Sequence, residues 1–153
     1  MGYEGIVDFA QRDGYIMVTP LGYHPIGWYG SNGPGVSQDL IKTGTFHLAA
    51  RHPDLWAGLA VAAPAVASGP PIAALDQIRM VPTLVLQGDE DKTVPVTATR
   101  KWVARMKELG MQHVYAEVRG GDHSLFISKN RETMSKIFAF FNIVRKSQRP
   151  PAS

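Results

Sequence analysis

The sequence predicts an α/β fold in which a mostly parallel sheet lies between two layers of helices, a three-layer α/β/α arrangement. Short apolar runs of strand length alternate along the chain with longer segments of helical periodicity. That alternation is typical of parallel sheets wrapped by helices. Three carboxylates also stand just past the end of one buried strand, and open α/β sheets place their functional loops at this end of their strands.

The chain is organised around residues 81–96. Pro82 precedes the apolar run from Thr83 to Leu86, whose length and composition predict a fully buried strand that stops at Gly88. Asp89, Glu90 and Asp91 come directly afterwards. The sequence Val94-Pro95 then turns the chain into a helix that begins near Thr97.

The other elements follow from periodicity and from glycine and proline breaks. Helices are predicted over residues 3–12, 43–52, 97–109 and 131–144, a short helical or irregular link over 72–78, and strands over 15–19, 56–66 and 112–118. Gly14 and Gly110 are expected to end helices. Residues 21–35, rich in glycine, proline and aromatics, are predicted to be a loop that lines a pocket.

Length and composition predict one soluble domain over residues 1–153, with residues 145–153 as a flexible basic tail. The chain is 44% hydrophobic and 19% charged, and its net charge of +3 gives little reason to expect nucleic-acid binding. It has no cysteine, so disulfides and thiolate chemistry are excluded. Residues 1–6 lack a signal-peptide pattern and no apolar run is long enough to span a bilayer, so no membrane association is expected; the compartment is not predicted.

Two loops carry a resemblance to a known family. The stretch from Gly88 to Pro95, followed by Gly121-Asp-His-Ser124, resembles the acid loop and the histidine loop of the α/β-hydrolase superfamily. It is most similar to small esterases and to dienelactone-hydrolase-like and prolyl-oligopeptidase-like serine hydrolases. The resemblance extends over residues 3–145 and implies an abridged α/β-hydrolase fold that hydrolyses carboxylic esters or peptide-type acyl bonds.

The resemblance also implies the roles of two residues. Asp91, just before the Val-Pro turn, corresponds to the acid, and His123 corresponds to the base. A hydrolytic triad requires a histidine poised near neutral pH and a carboxylate that fixes its tautomer. Asp89 is instead expected to cap the loop. A small ester or acyl substrate is the expected partner, and no cofactor or metal is expected, since the histidines and carboxylates lack metal-ligand spacing.

The nucleophile is where the sequence departs from the family. The family carries its serine in a G-x-S-x-G elbow, and the chain has no such motif. Either an elbow segment is missing between Leu40 and Thr43, or the positions align without a gap and Asp39 stands in the place of the serine. The first reading is preferred, because Ile41 and Lys42 would then occupy the glycine positions of a tight turn.

No other hydroxyl is a strong substitute. Ser37 is more typical of a helix N-cap, Ser124 matches a loop residue of the family, and Ser31 and Ser68 lack local support. The nucleophile therefore stays unidentified at this stage. The alternative function is a catalytically incomplete hydrolase that acts as a binding module or as a homo-oligomer, since lost strands would expose sheet edges that a second copy could cover.

Overall fold

The computed structural model describes residues 5–15, 44–64, 73–123 and 130–147 of the chain. The predicted strand at 15–19 (apart from Tyr15), the predicted loop at 21–35 and the positions from Asp39 to Thr43 lie outside these ranges. Within them, the predicted helices and strands are confirmed, with shifts of a few residues at their ends.

The elements are numbered here in chain order. The helices are α1 (Ile6–Asp13), α2 (Gly44–Arg51), α3 (Ala73–Gln77), α4 (Val96–Glu108) and α5 (Arg131–Ser147), with a 3-10 turn at Pro53–Leu55. The strands are β1 (Leu59–Ala62), β2 (Thr83–Gly88) and β3 (His113–Val118). The strand predicted from Trp56 therefore begins three residues later, and Trp56 itself is exposed.

The described strands form a parallel three-stranded sheet with β2 in the middle. Every residue of β2 is buried, as expected for a strand that has a neighbour on each side and helices on both faces. The predicted α/β class with a parallel sheet is thus confirmed, because each crossover between neighbouring strands contains a helix.

Alternate residues of the strands pack into two separate cores. On one face, Leu59, Val61 and Val85 contact helices α2, α3 and α4, and this core includes Phe46 stacked on Trp102 with ring centroids 4.8 Å apart. On the other face, α5 covers a second core. Its buried members are Ala63, Leu84, Leu86, Val94, Phe140 and Val144.

Helix α1 forms an additional layer outside α5. Phe9 stacks on Phe138 of α5, with ring centroids 5.6 Å apart. The predicted tail starts too early: α5 continues through Ser147, and Arg145 donates a hydrogen bond to the carbonyl oxygen of Asp13 at 3.1 Å. The guanidinium also lies 5.0 Å from the centroid of the Tyr15 ring. These contacts explain why the chain stays helical beyond residue 144.

Gly110 ends α4 as predicted. It has φ of 64°, and its N–H donates to the carbonyl of Lys107, while the N–H of Met111 donates to the carbonyl of Met106. This pair of bonds is a Schellman motif, in which glycine takes the left-handed position without steric cost. The described parts of the chain contain no helix long and apolar enough to cross a membrane.

Candidate active site

The register of the sheet brings the two predicted loops together. Gly88, the last residue of β2, pairs with Val118, the last residue of β3. Because the strands are parallel, the acid loop and the histidine loop leave the sheet at the same edge, the carboxyl edge. Asp91 follows Gly88 by three residues and His123 follows Val118 by five.

Asp91 is a buried carboxylate, and its side chain is fully inaccessible to solvent. Its Oδ1 accepts hydrogen bonds from the backbone N–H groups of Thr93 at 2.8 Å and Val94 at 2.7 Å. Its Oδ2 accepts from Gln87 Nε2 at 3.1 Å and pairs with His123 Nδ1 at 2.9 Å. Both oxygens therefore have two partners, as a buried carboxylate requires.

These contacts keep Asp91 ionised. Burial alone raises the pKa of a carboxyl group, because the charged form loses its water. The hydrogen bonds from the Val94 N–H, from His123 and from the Thr93 N–H outweigh burial and hold the pKa of Asp91 below its ordinary value of 3.8. Asp91 thus presents a fixed negative charge to the imidazole at neutral pH.

His123, unlike Asp91, is partly exposed to solvent. Its side chain remains 43% exposed even though Nδ1 is bound to Asp91. With Nδ1 engaged, Nε2 is the ring nitrogen available to an external proton donor. An imidazole bound at one nitrogen by a buried carboxylate and partly exposed is compatible with the general-base role expected from the sequence, which stays a prediction.

The backbones of the two loops are in direct contact. A Cβ atom on Gly88 would collide with the carbonyl oxygen of Gly121 and lie 2.6 Å from its carbonyl carbon. The N–H of Glu90 donates to this same Gly121 oxygen at 3.0 Å. Gly88 therefore allows the acid loop to approach the histidine loop more closely than any side chain would permit.

Asp89 joins the loops from the solvent side. Its Oδ1 accepts a hydrogen bond from the N–H of Gly120 at 2.7 Å, and its own N–H donates to the carbonyl of Val118 at 3.2 Å. Gly120 has φ of 66°, a conformation that favours glycine. Asp89 is exposed and bonds backbone rather than His123, which agrees with the loop-capping role expected from the sequence.

Sequence reasoning missed Gln87. This residue is completely buried at the end of β2 and contacts the acid loop and α4 at once. One sequence signal could have identified Gln87: its carboxamide directly follows four residues of a predicted buried strand. A polar side chain in such a place must find hydrogen-bond partners.

The other candidates predicted from the sequence fall on residues that the structure does not describe. Ser31, Ser37, Ser68 and Ser124 lie outside the described residues, as do the pocket loop and the two readings of the elbow. Within the described ranges, no group of three or more histidine and acidic side chains is arranged to hold a metal ion.

The architecture is that of an α/β-hydrolase: a parallel sheet between helices, with an acid loop and a histidine loop at its carboxyl edge. Two solved structures share it. A protein described as a predicted CIB-like hydrolase from Thermoplasma acidophilum superposes with a TM-score of 0.54 at 21% identity, covering 64% of this chain and 44% of that one. A thermostable esterase superposes with a TM-score of 0.51 at 21% identity, covering 65% of this chain and 27% of that one.

The sequence itself places the chain in a family. The profile of the prolyl oligopeptidase family, Peptidase_S9, matches residues 66–148, which is just over half of the chain and includes both loops. The chain belongs to the prolyl oligopeptidase family, within the α/β-hydrolase superfamily. No curated protein sequence matches it. The chain spans less than half of the length of either solved structure named above.

Proposed function

We propose that this chain carries the acid and the base of a serine-type hydrolase that acts on carboxylic esters or peptide-type acyl bonds. The observation that carries the proposal is the 2.9 Å contact between His123 Nδ1 and Asp91 Oδ2, made by a buried carboxylate and an exposed imidazole. Membership of the prolyl oligopeptidase family also supports the proposal.

The proposed chemistry is acyl transfer to a serine. His123 Nε2 accepts the proton of a serine hydroxyl as the oxygen attacks the acyl carbon, and the imidazolium gives that proton to the leaving group as its bond to the acyl carbon breaks. Water, deprotonated by His123, then attacks the acyl-enzyme, and the serine oxygen leaves with the proton that His123 returns. Asp91 holds the proton on Nδ1 and stabilises the imidazolium. Backbone N–H groups are expected to stabilise the tetrahedral oxyanion. The serine is left unassigned, and the reaction needs no cofactor.

Labelling with a fluorophosphonate tests this proposal directly. The folded chain is labelled, mapped by peptide mass spectrometry, and assayed with a short-chain nitrophenyl ester. Under the hydrolase proposal we expect one labelled serine, which would overturn the missing-elbow reading. Labelling should be lost in His123→Ala and reduced on the order of 10³–10⁴-fold in Asp91→Asn, since the wrong imidazole tautomer is then favoured. His52→Ala is the control, because His52 is exposed and lies outside the two loops.

A second candidate function rests on the absence of a G-x-S-x-G motif from the sequence. If the chain has no nucleophile, it keeps the acid and the base but acts as a binding or oligomerising module. A folded sample without label and without turnover would reject the hydrolase proposal and favour the module. Light scattering would then show whether two copies associate.

A further inference from the structure

The side chain of Gln87 is held by contacts in two directions. Its Oε1 accepts a hydrogen bond from Thr99 Oγ1 of α4 at 2.6 Å. Its Nε2 lies 2.9 Å from the carbonyl oxygen of Val94, 3.1 Å from Asp91 Oδ2 and 3.3 Å from the carbonyl oxygen of Gly88. Gln87 and Thr99 are both completely buried.

This set of partners determines which way the carboxamide faces. The three groups around Nε2 are all acceptors, whereas the group at Oε1 is a hydroxyl that donates. Turning the carboxamide over would place its oxygen against three acceptors and lose every bond to the acid loop. Because a hydroxyl can donate or accept, the three acceptors select the orientation in which Gln87 donates to Asp91, and the Thr99 hydroxyl then holds the carboxamide by donating to Oε1.

Gln87 holds Asp91 from a more rigid part of the fold than the acid loop does. It belongs to the central strand, and Thr99 belongs to a helix packed on that strand, so both are positioned by the core. The Thr93 and Val94 N–H groups that hold Oδ1 belong to the acid loop and move with it. The contact to Oδ2 is thus a bond from the acid to the rigid core.

We propose that Gln87, held at Oε1 by Thr99, is a positioning residue that fixes the Asp91 carboxylate so that Oδ2 faces His123 Nδ1. This inference rests on the proposed function, because holding Asp91 in place serves catalysis only when His123 acts as a base. Gln87 touches neither His123 nor a reacting atom in this arrangement, and it acts only through Asp91.

The test reads the tautomer of His123 by ¹⁵N NMR at neutral pH and needs no turnover. In the native chain we expect the proton on Nδ1, and in Asp91→Asn we expect a shift towards the Nε2–H tautomer. Gln87→Met keeps the approximate volume and removes all of the hydrogen bonds. We expect it to move the His123 nitrogen shifts from the native values towards those of Asp91→Asn.

A pair of equal substitutions provides the control. Thr99→Val and Thr83→Val each remove one fully buried hydroxyl without changing the side-chain shape, but Thr83 bonds the Val81 carbonyl at the far end of β2. Thr99→Val should move the His123 shifts in the same direction as Gln87→Met, and Thr83→Val should leave them unchanged. If Gln87→Met fails to fold, the two threonine variants still decide the question.

The outcomes separate this inference from the proposed function. Native His123 shifts in folded Gln87→Met or in Thr99→Val, with altered shifts in Asp91→Asn, would overturn the positioning role and leave the acid–base pair intact. Altered shifts that are equally large in Thr83→Val would also overturn it, because any loss of a buried hydroxyl would then suffice. If the chain labels with fluorophosphonate, we further expect Gln87→Met to lower kcat on the order of 10-fold with KM unchanged, since the acid acts in the transition state.

Discussion

At the scale of single residues, burial separates three neighbouring carboxylates that look alike in the sequence. Asp89 and Glu90 are exposed, whereas Asp91 is enclosed and has four hydrogen-bond donors. A buried carboxylate remains charged only when such donors replace its lost water. The environment of Asp91 therefore supports its assignment as the acid, which otherwise rests on the resemblance between loops.

The lowered pKa of Asp91 makes stability depend on pH. A carboxyl group whose pKa is lower in the folded than in the unfolded chain stabilises the fold above its unfolded pKa, and this stabilisation disappears as the pH falls through the folded value. We expect the free energy of unfolding to decrease as the pH drops below 3.8, the ordinary value, with the loss completed below the folded pKa. Urea denaturation across this range measures it.

Asp91→Asn should remove that part of the pH dependence. The amide keeps the two backbone bonds at Oδ1 but replaces the Oδ2 acceptor with a donor facing Gln87, so we expect a loss of about 1–3 kcal/mol at neutral pH. Asp54→Asn is the control, because Asp54 is exposed on the 3-10 turn. An unchanged acid slope in Asp91→Asn would contradict the assignment of the slope to Asp91.

At the scale of elements, the site depends on the contact between two loops that follow neighbouring strands. Their separation at the sheet is set by the β2–β3 register. Beyond the sheet it is set by the Gly88–Gly121 contact and by the bond from Glu90 N–H. Sequence reasoning predicted that both loops are functional, but it gave no role to the glycine at which they touch.

Gly88→Ala should separate the loops. Its Cβ would meet the Gly121 backbone, which cannot rotate away as a side chain can, so the histidine loop must shift. We expect the Nδ1–Oδ2 contact to be lost, seen as the Nε2–H tautomer of His123 by ¹⁵N NMR, together with any hydrolytic activity.

Gly120→Ala is the matched comparison. It adds the same methyl group at the residue before Gly121. No atom lies within 4 Å of that added Cβ, so the loss of stability comes only from the φ of 66°. We expect a loss of about 1 kcal/mol in stability from that backbone strain, with the His123 tautomer less affected than in Gly88→Ala. Equal effects of the two alanines on the tautomer would show that the close approach at Gly88 is not what joins the loops.

At the scale of the whole molecule, the helical layers differ in how much they contribute to burying the sheet. Helices α2, α3 and α4 on one face and α5 on the other bury the sheet, whereas the buried residues of α1 form a separate cluster with α5. The inner core includes the Phe46–Trp102 stack, both rings essentially inaccessible. The outer contact is the Phe9–Phe138 stack.

This difference predicts unequal effects for the same substitution. Phe46→Ala opens a cavity beside Trp102 in the inner core, so we expect a loss of about 3–5 kcal/mol and faster amide exchange throughout the sheet. Phe9→Ala should accelerate exchange mainly in α1, since its buried residues cluster with α5 and not with the strands. Exchange mass spectrometry distinguishes the two, and a global effect of Phe9→Ala would show that α1 is part of the cooperative core.

Much of this organisation follows from the sequence alone. Apolar periodicity and glycine breaks determined the described helices and strands to within a few residues, because those patterns act over one or two turns of chain. Strand and helix alternation determined the parallel α/β class, and two short loops were enough to indicate the family. The catalytic roles of Asp91 and His123 remain predictions that the fluorophosphonate experiment tests.

The tertiary structure alone decided how the site is held together. The hydrogen bonds between Thr99 and Gln87, between Gly120 and Asp89 and between His123 and Asp91 join residues 12, 31 and 32 positions apart, and they form only once strand register and helix packing bring these groups together. The extension of α5 into the predicted tail has the same origin, since Arg145 is held by α1. Local sequence patterns specify the elements, whereas hydrogen bonds between distant groups depend on the folded arrangement, and the buried charge of Asp91 is stabilised by that arrangement.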